Sequence, residues 1–189
     1  MSLRNTQQEF GSIAKWLHWL VALGILALII LGLLQSDMDS SPERTAIREL
    51  HGSIALLVLA LMIVRLACRW TGSTPAHPPG IPGWQRASAA LVHGAIYIAV
   101  FAQLLSGALD VATGGKPLAF FGLFSIPLPV AENHDNHELW EEVHEAGWIA
   151  IAVLVTVHVL AALYHHFILK TDVLRRMTVG VAAENRPHV

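Results

Sequence analysis

Charged side chains are scarce in this sequence. Asp, Glu, Lys and Arg together make up 14% of the 189 residues, whereas soluble domains carry about 25%. Hydrophobic residues account for 54% of the chain. This composition excludes an ordinary soluble domain and favours a protein that lies largely in lipid.

Cysteine is nearly absent too. Cys68 is the only one in the chain, so an internal disulfide is excluded. The sequence also lacks an internal repeat of fixed period and any low-complexity segment. Because the stretches between apolar runs are short and rich in Pro, Gly and Asp, we interpret the chain as one domain without a separate soluble module.

Long apolar runs are what the chain has instead, and each approaches the ~20 residues that a membrane-spanning helix needs. They lie at about residues 13–34, 50–68, 87–109 and 146–169. The sequence therefore predicts an all-α fold, an integral membrane four-helix bundle formed by residues 1–178. Its helices are expected at about 12–34, 42–69, 84–110 and 136–169, with a short polar C-terminal tail at 179–189.

Basic residues are distributed unevenly over the connections of this predicted bundle. Nine of the twelve Lys and Arg residues fall on the side that holds both termini, and the other side holds only Arg44, Arg48 and Lys116. That other side carries eleven of the fourteen acidic residues. Because cytoplasmic segments are enriched in Lys and Arg, this bias predicts that both termini are cytoplasmic.

Histidines recur at matched depths in the predicted spans. His144 and His158 are fourteen residues apart, so they lie on one face of the fourth helix, separated by about 21 Å. His18 enters the first helix from the cytoplasmic side, and His51 enters the second helix from the opposite side. Depth alone therefore pairs His18 with His158 and His51 with His144. Ionisable residues inside a bilayer are costly, so they indicate a functional site.

Facing imidazoles at two levels of a helical bundle are typical of haem ligation. Neutral imidazole is a good axial ligand for haem iron, and bundles build cofactor sites from facing helices. No Cys-x-x-Cys-His stretch is present, so coordination and packing alone would hold a haem. The alternative is that each histidine makes an interhelical hydrogen bond. Because the histidines form two level-matched pairs, we favour haem iron as the bound metal.

Other polar residues lie near the cytoplasmic pair. Arg65 follows His51 by fourteen residues and shares nearly its face; it would either pair with haem propionates or snorkel to the interface. His93 would replace a ligand at its level, contact a propionate, line a quinone pocket or hydrogen-bond within the bundle. The end of the fourth helix would either serve a quinone head group and its protons or anchor the chain at the interface. Its polar residues are His165, His166 and Lys170.

Structures can also be predicted for two segments outside the spans. The loop at 111–130 has an apolar middle, so it is expected to lie on the membrane surface and to shield the non-cytoplasmic haem. The stretch "KTDVLRRM" after the fourth helix is expected to form a short basic interfacial helix.

These residues resemble a known family. The stretches that carry the resemblance are "KWLHWL", "ELHGSIALLVLALMIVRLACR", "VHGAIY", "GGKPLAFFGLFSIP", "VHEAGW" and "VHVLAALYHHFILKTDVLRRM". Over about residues 12–178 the chain resembles the bacterial cytochrome b561 family, small di-haem cytochromes of the inner membrane. The resemblance implies two haem b groups, a cytoplasmic one on His18 and His158 and a periplasmic one on His51 and His144.

The resemblance also implies partners. Membrane quinone, ubiquinone above all, would accept or donate electrons, and superoxide or another periplasmic redox partner would act at the opposite face; no nucleic acid is expected. The protein would then be a quinone-linked oxidoreductase of the superoxide:ubiquinone type. In relatives of that type, the positions that match His165 and Lys170 lie near the quinone.

Two other functions fit part of this pattern. A haem-bearing membrane anchor that relays electrons for a larger dehydrogenase or hydrogenase would need the same histidines. A His-lined transporter or proton channel is the more remote alternative, because transporters favour interrupted helices and inverted repeats. The four predicted helices are continuous and unrepeated.

Overall fold

The computed structural model of the protein describes residues 2–7, 9–76, 78 and 80–178. The predicted polar tail at 179–189 lies outside the described residues. Five helices and one two-stranded hairpin form the described part of the chain. They are α1 (Ser12–Ser36), α2 (Pro42–Thr71), α3 (Gly83–Thr113), β1 (Leu118–Phe120), β2 (Phe124–Ile126), α4 (His134–Phe167) and α5 (Val173–Met177).

The four long helices confirm the predicted membrane bundle, since each is long and apolar enough to cross a membrane. Their ends differ from the predicted ones by at most three residues. α4 begins at 134 instead of 136 because the Asn133 side chain caps it, accepting a hydrogen bond from the Asn136 N–H at 2.9 Å. α2 begins where predicted: Pro42 occupies its first turn, and the Ser41 hydroxyl accepts from the Arg44 N–H at 3.2 Å.

The helices pack as two pairs. α1 packs mainly against α2 and α3 mainly against α4, whereas contacts between the two pairs are fewer. All four helices contribute to one apolar cluster, which consists of Val21, Val58, Met62, Val100 and Ile151. Val58 follows His51 by seven residues and Ile151 follows His144 by seven. The cluster therefore lies about 10 Å along the bundle from these histidines.

Much of the apolar surface of the spans faces outward. Large side chains such as Leu23, Leu26, Ile98 and Leu160 are exposed. An apolar exterior of this kind is stable in hydrocarbon, where no hydrophobic force drives it inward.

Candidate functional site

Four histidines meet in two pairs at two heights of the bundle. The ring centres of His18 on α1 and His158 on α4 lie 6.1 Å apart, and those of His51 on α2 and His144 on α4 lie 6.2 Å apart. We name the first pair the lower tier, at the end of the bundle where α1 begins, and the second pair the upper tier. The histidines thus lie in the pairs that depth alone predicted.

The spacing within each tier fits one metal ion between the rings. A metal bonded to one nitrogen of each ring, at about 2 Å per bond, holds the ring centres about 6 Å apart. The rings are inclined by 70° in the lower tier and 74° in the upper, so they are not stacked on each other. His93 approaches His158 to 5.0 Å between ring centres. That separation is shorter than the about 6 Å that a metal bonded to both rings needs, so it does not favour His93 as a replacement for His18.

The ring of His144 is held by α3. Its Nδ1 lies 3.1 Å from the carbonyl oxygen of Gln103 and 3.1 Å from the hydroxyl of Ser106. The Gln103 side-chain amide donates back to the His144 carbonyl at 2.8 Å. A carbonyl only accepts, so Nδ1 carries the proton and Nε2 keeps its lone pair. Histidines that bind metals are usually oriented in this way, by an N–H donated to a carbonyl.

A glycine makes room for this ring. A Cβ added at Gly107 would lie 2.7 Å from Cε1 of His144, which is closer than carbon atoms pack. At Gly107 the His144 ring lies directly against the backbone of α3.

His51 is half-buried on α2, beside α1. Its Nδ1 has no hydrogen-bond partner among the described residues, although the carbonyl of Leu28 lies in reach of the ring. A hydrogen bond from Nδ1–H to that carbonyl would leave Nε2 for a metal. Gly32 lies beside the same ring, where a Cβ would stand 3.7 Å from Cε1. The surroundings of His51 therefore suit a ligand as those of His144 do.

Arg65 contacts the lower tier from α2. Its guanidinium donates to the carbonyl of Ala14 and to Nδ1 of His18, both at 3.2 Å. Arginine has no acceptor, so Nδ1 of His18 accepts, and Nε2 of the neutral ring carries the proton. A metal bound at Nε2 therefore requires Arg65 to release Nδ1. A carboxylate pair such as the haem propionates would offer the freed guanidinium a bidentate partner.

Three of the four quinone candidates follow one another at the end of α4. His165 Nδ1 lies 3.3 Å from the hydroxyl of Thr171, and the ring of His166 packs edge-on against Phe167. Lys170 has a φ of 53°, in the left-handed region, so the chain turns there toward α5. The fourth candidate, His93, lies beside His158 in the lower tier.

The loop at 111–130 contains a hairpin that the prediction did not include. β1 and β2 pair antiparallel, and the turn between them has Phe121 at φ 49° and Gly122 at φ 70°. Ser53, two residues after His51, accepts a hydrogen bond from the Phe121 N–H at 2.8 Å, and its hydroxyl lies 3.2 Å from the Ala119 carbonyl. The hairpin is therefore fastened to α2 next to the upper tier.

A second contact at the same end joins α3 to α4. Nδ1 of His137 lies 2.9 Å from the carboxylate of Asp110 and 3.0 Å from its backbone carbonyl. Sequence reasoning did not single out this pair, nor Gln103 as a partner of His144, because both depend on which helices pack together. The only available signal was that Gln103 and Asp110 are polar residues within an apolar span.

The model of the prokaryotic cytochrome b561 family matches residues 9–180, nearly the whole chain. The chain belongs to this family. Two similar proteins come from Escherichia coli strain K12. Cytochrome b561 homolog 2 is 33% identical over 182 residues, covering 94% of this chain and 95% of the relative. Homolog 1 is 32% identical over 174 residues, covering 89% and 96%. The probable superoxide oxidase CybB of Yersinia pestis is 27% identical over 175 residues, covering 90% and 96%.

Membership of the cytochrome b561 family confirms the resemblance expected from the histidine motifs. The protein is a multi-pass bacterial membrane protein that carries b-type haem and transfers electrons. The four apolar helices are the scaffold of this function, and the paired histidines inside them are the candidate ligands.

Proposed function

We propose that the protein carries electrons across the bacterial inner membrane through two b haems, one in each tier. His18 and His158 hold the haem of the lower tier, and His51 and His144 hold that of the upper tier. The observation that supports this proposal most is the near-equal separation of the ring centres, 6.1 Å and 6.2 Å. Residues 1–178 act as one functional unit, with both termini in the cytoplasm.

The chain supplies ligands, spacing and exclusion of water. Each haem, when bound, supplies one-electron chemistry. The two ligands on α4 are fourteen residues apart, so the helix fixes the tiers at about 21 Å along its axis. The apolar cluster around Val58 and Ile151 fills the space between the tiers and keeps water out of it. Gln103 and Ser106 hold the His144 ring in the orientation that ligation needs.

The upper end is proposed to receive electrons from a one-electron donor in the periplasm. Superoxide is the donor we favour, because a similar protein from Yersinia pestis is named a probable superoxide oxidase. The upper end is rich in acidic residues, which repel an anion. Arg44, Arg48 and Lys116 are the cations available to form a local positive entrance. The hairpin fastened by Ser53 would shield this tier from other solutes.

The lower end is proposed to deliver electrons to membrane quinone, with ubiquinone favoured. His165, His166 and Lys170 stand where α4 ends, at the level where a quinone head group would approach from lipid. Imidazole can both donate and accept a proton, so these histidines can hand protons to a reduced quinone. His93, beside His158, is proposed to border the same region, and Arg65 to pair with the propionates of the lower haem.

The experiment is a two-step kinetic assay on the purified holoprotein. Superoxide is added as dissolved potassium superoxide, and reduction of the b-haem absorbance is followed, after which a soluble ubiquinone analogue is added. Reduction followed by quinone-dependent reoxidation supports the proposal. Reduction by dithionite alone, with no electron transfer to quinone, would instead favour a haem-bearing anchor subunit. A purified protein without haem absorbance would favour a transporter or channel.

A further inference from the structure

A pocket of about 360 Å³ lies at the lower end of the bundle, between the first turns of α1 and the short helix α5. It is lined by Ser12, Lys15, Trp16, Trp19, Met177 and Thr178. The indole N–H of Trp19 donates to the carbonyl of Met177 at 2.9 Å, and so holds α5 against α1. This hydrogen bond therefore holds the two walls of the pocket together.

Lys15 is the buried charge of this pocket. Only 9% of its surface is exposed, and among the described residues its ammonium group has no hydrogen-bond or ion-pair partner. The ammonium group itself is not among the fully buried polar atoms of the described residues, and a Lys whose side chain is largely buried is uncommon unless its charge is paired. Because Lys15 lines a pocket open to small molecules, an external anion can supply the missing partner.

The helix terminus itself does not provide the anion site. The first backbone donors of α1, the N–H groups of Ser12 and Ile13, are already bonded to the carbonyls of Ser2 and Leu3 at 3.0 Å and 3.3 Å. The attraction for an anion thus comes from the Lys15 side chain.

Two tryptophans place the pocket at the edge of the membrane. Trp16 is 68% exposed and Trp19 is 41% exposed, both beside Lys15. Tryptophan concentrates at the level of lipid head groups. Basic pockets between spans at this level are suited to acidic lipid head groups. The opening therefore lies where phosphate groups of the surrounding lipid are abundant.

We propose that this pocket binds the phosphate of an anionic phospholipid, with the Lys15 ammonium as its ion-pair partner and the tryptophans packed on the glycerol and upper acyl carbons. The bound lipid would fasten α5 to α1 at the end of the bundle near the lower tier. This role is separate from electron transfer and from haem ligation.

The test is native mass spectrometry of the detergent-purified holoprotein titrated with phosphatidylglycerol, with phosphatidylethanolamine and with inorganic phosphate. Lys15→Gln is compared with Lys116→Gln, which removes a lysine from the opposite end of the bundle. Phosphatidylglycerol should bind the wild type more tightly than phosphatidylethanolamine does. Lys15→Gln should weaken this binding by about fivefold or more, and Lys116→Gln should leave it unchanged.

Other outcomes overturn the proposal. Equal phosphatidylglycerol binding by wild type and Lys15→Gln would show that Lys15 is not the anchor. Binding of inorganic phosphate without preference for phosphatidylglycerol would show a site for a free anion only. Haem loss or an altered haem spectrum in Lys15→Gln, with lipid binding intact, would assign Lys15 to a haem propionate instead.

Discussion

Nδ1 of His144 lies 3.1 Å from the carbonyl of Gln103, and the Gln103 amide returns a hydrogen bond to the His144 carbonyl at 2.8 Å. This reciprocal link fixes one helix against the other at the upper tier. It also fixes the ring, because Nδ1–H can point only toward α3. The upper tier is thus organised by α3, a helix that contributes neither of its histidines.

Substitution of Gly107 tests how closely the His144 ring packs against α3. In Gly107→Ala the new Cβ would stand 2.7 Å from Cε1 of His144, so the ring must move. Overpacking of this kind costs about 1–3 kcal/mol. We expect the variant to bind less haem or to lose the low-spin spectrum of one haem, as measured by pyridine haemochrome and optical spectra.

Gly83→Ala is the matched control for that substitution. Gly83 is the first residue of α3, and a Cβ there would meet its nearest neighbour, the Arg86 side chain, only at 3.9 Å. Its haem content should equal that of wild type. Normal haem content in Gly107→Ala as well would mean that the His144 ring is not confined as described.

Removal of the Ser53 hydroxyl should loosen the hairpin. Ser53→Ala leaves the Phe121 N–H without its 2.8 Å partner, and losing such a hydrogen bond costs about 0.5–1.5 kcal/mol. Hydrogen exchange measured by mass spectrometry should speed up in 118–126, because those residues lose their attachment to α2. Ser88→Ala, which removes a hydroxyl bonded within α3, should leave that exchange unchanged. Equal protection in both variants would contradict the role of Ser53.

Neutralising Arg65 should change the lower tier alone. Arg65 reaches the lower tier and is proposed to pair with the propionates of the lower haem, and a positive charge so close favours the reduced state of a nearby redox centre. Arg65→Gln should therefore lower the reduction potential of one haem by an amount on the order of 50 mV, measured by spectroelectrochemical titration. The exposed Arg86, changed to Gln, serves as the control. A shift of both potentials by equal amounts, or of neither, is the contrary result.

The helices and the histidine tiers could be predicted from the sequence for a physical reason. A helix places residues fourteen apart on one face, so the positions of His144 and His158 fix their relation without any knowledge of packing. Successive spans cross the membrane in opposite directions, so the depth of each histidine can be inferred from its position in its helix. By this rule His18 lies at the depth of His158, and His51 lies at the depth of His144. Both inferences need only helix geometry and the direction of the spans, and the observed histidine pairs agree with them.

The contacts that complete the site follow from packing and were missed. Gln103 and Ser106 reach His144 only because α3 packs on α4, and Ser53 meets Phe121 only because the loop folds back as a hairpin. Neither of these contacts produces a periodic pattern in the sequence. That the loop shields the non-cytoplasmic end stays a prediction, and its two strands were too short for the sequence pattern to reveal.

The central claim is that each tier holds one haem, and counting haems in ligand variants tests it most directly. Pyridine haemochrome assays should give two haems per wild-type protein. One haem should remain in His51→Ala and His144→Ala, and one in His18→Ala and His158→Ala, with different residual spectra for the two pairs of variants. Fewer than one haem in wild type, or variants of both tiers that retain both haems, would contradict the account.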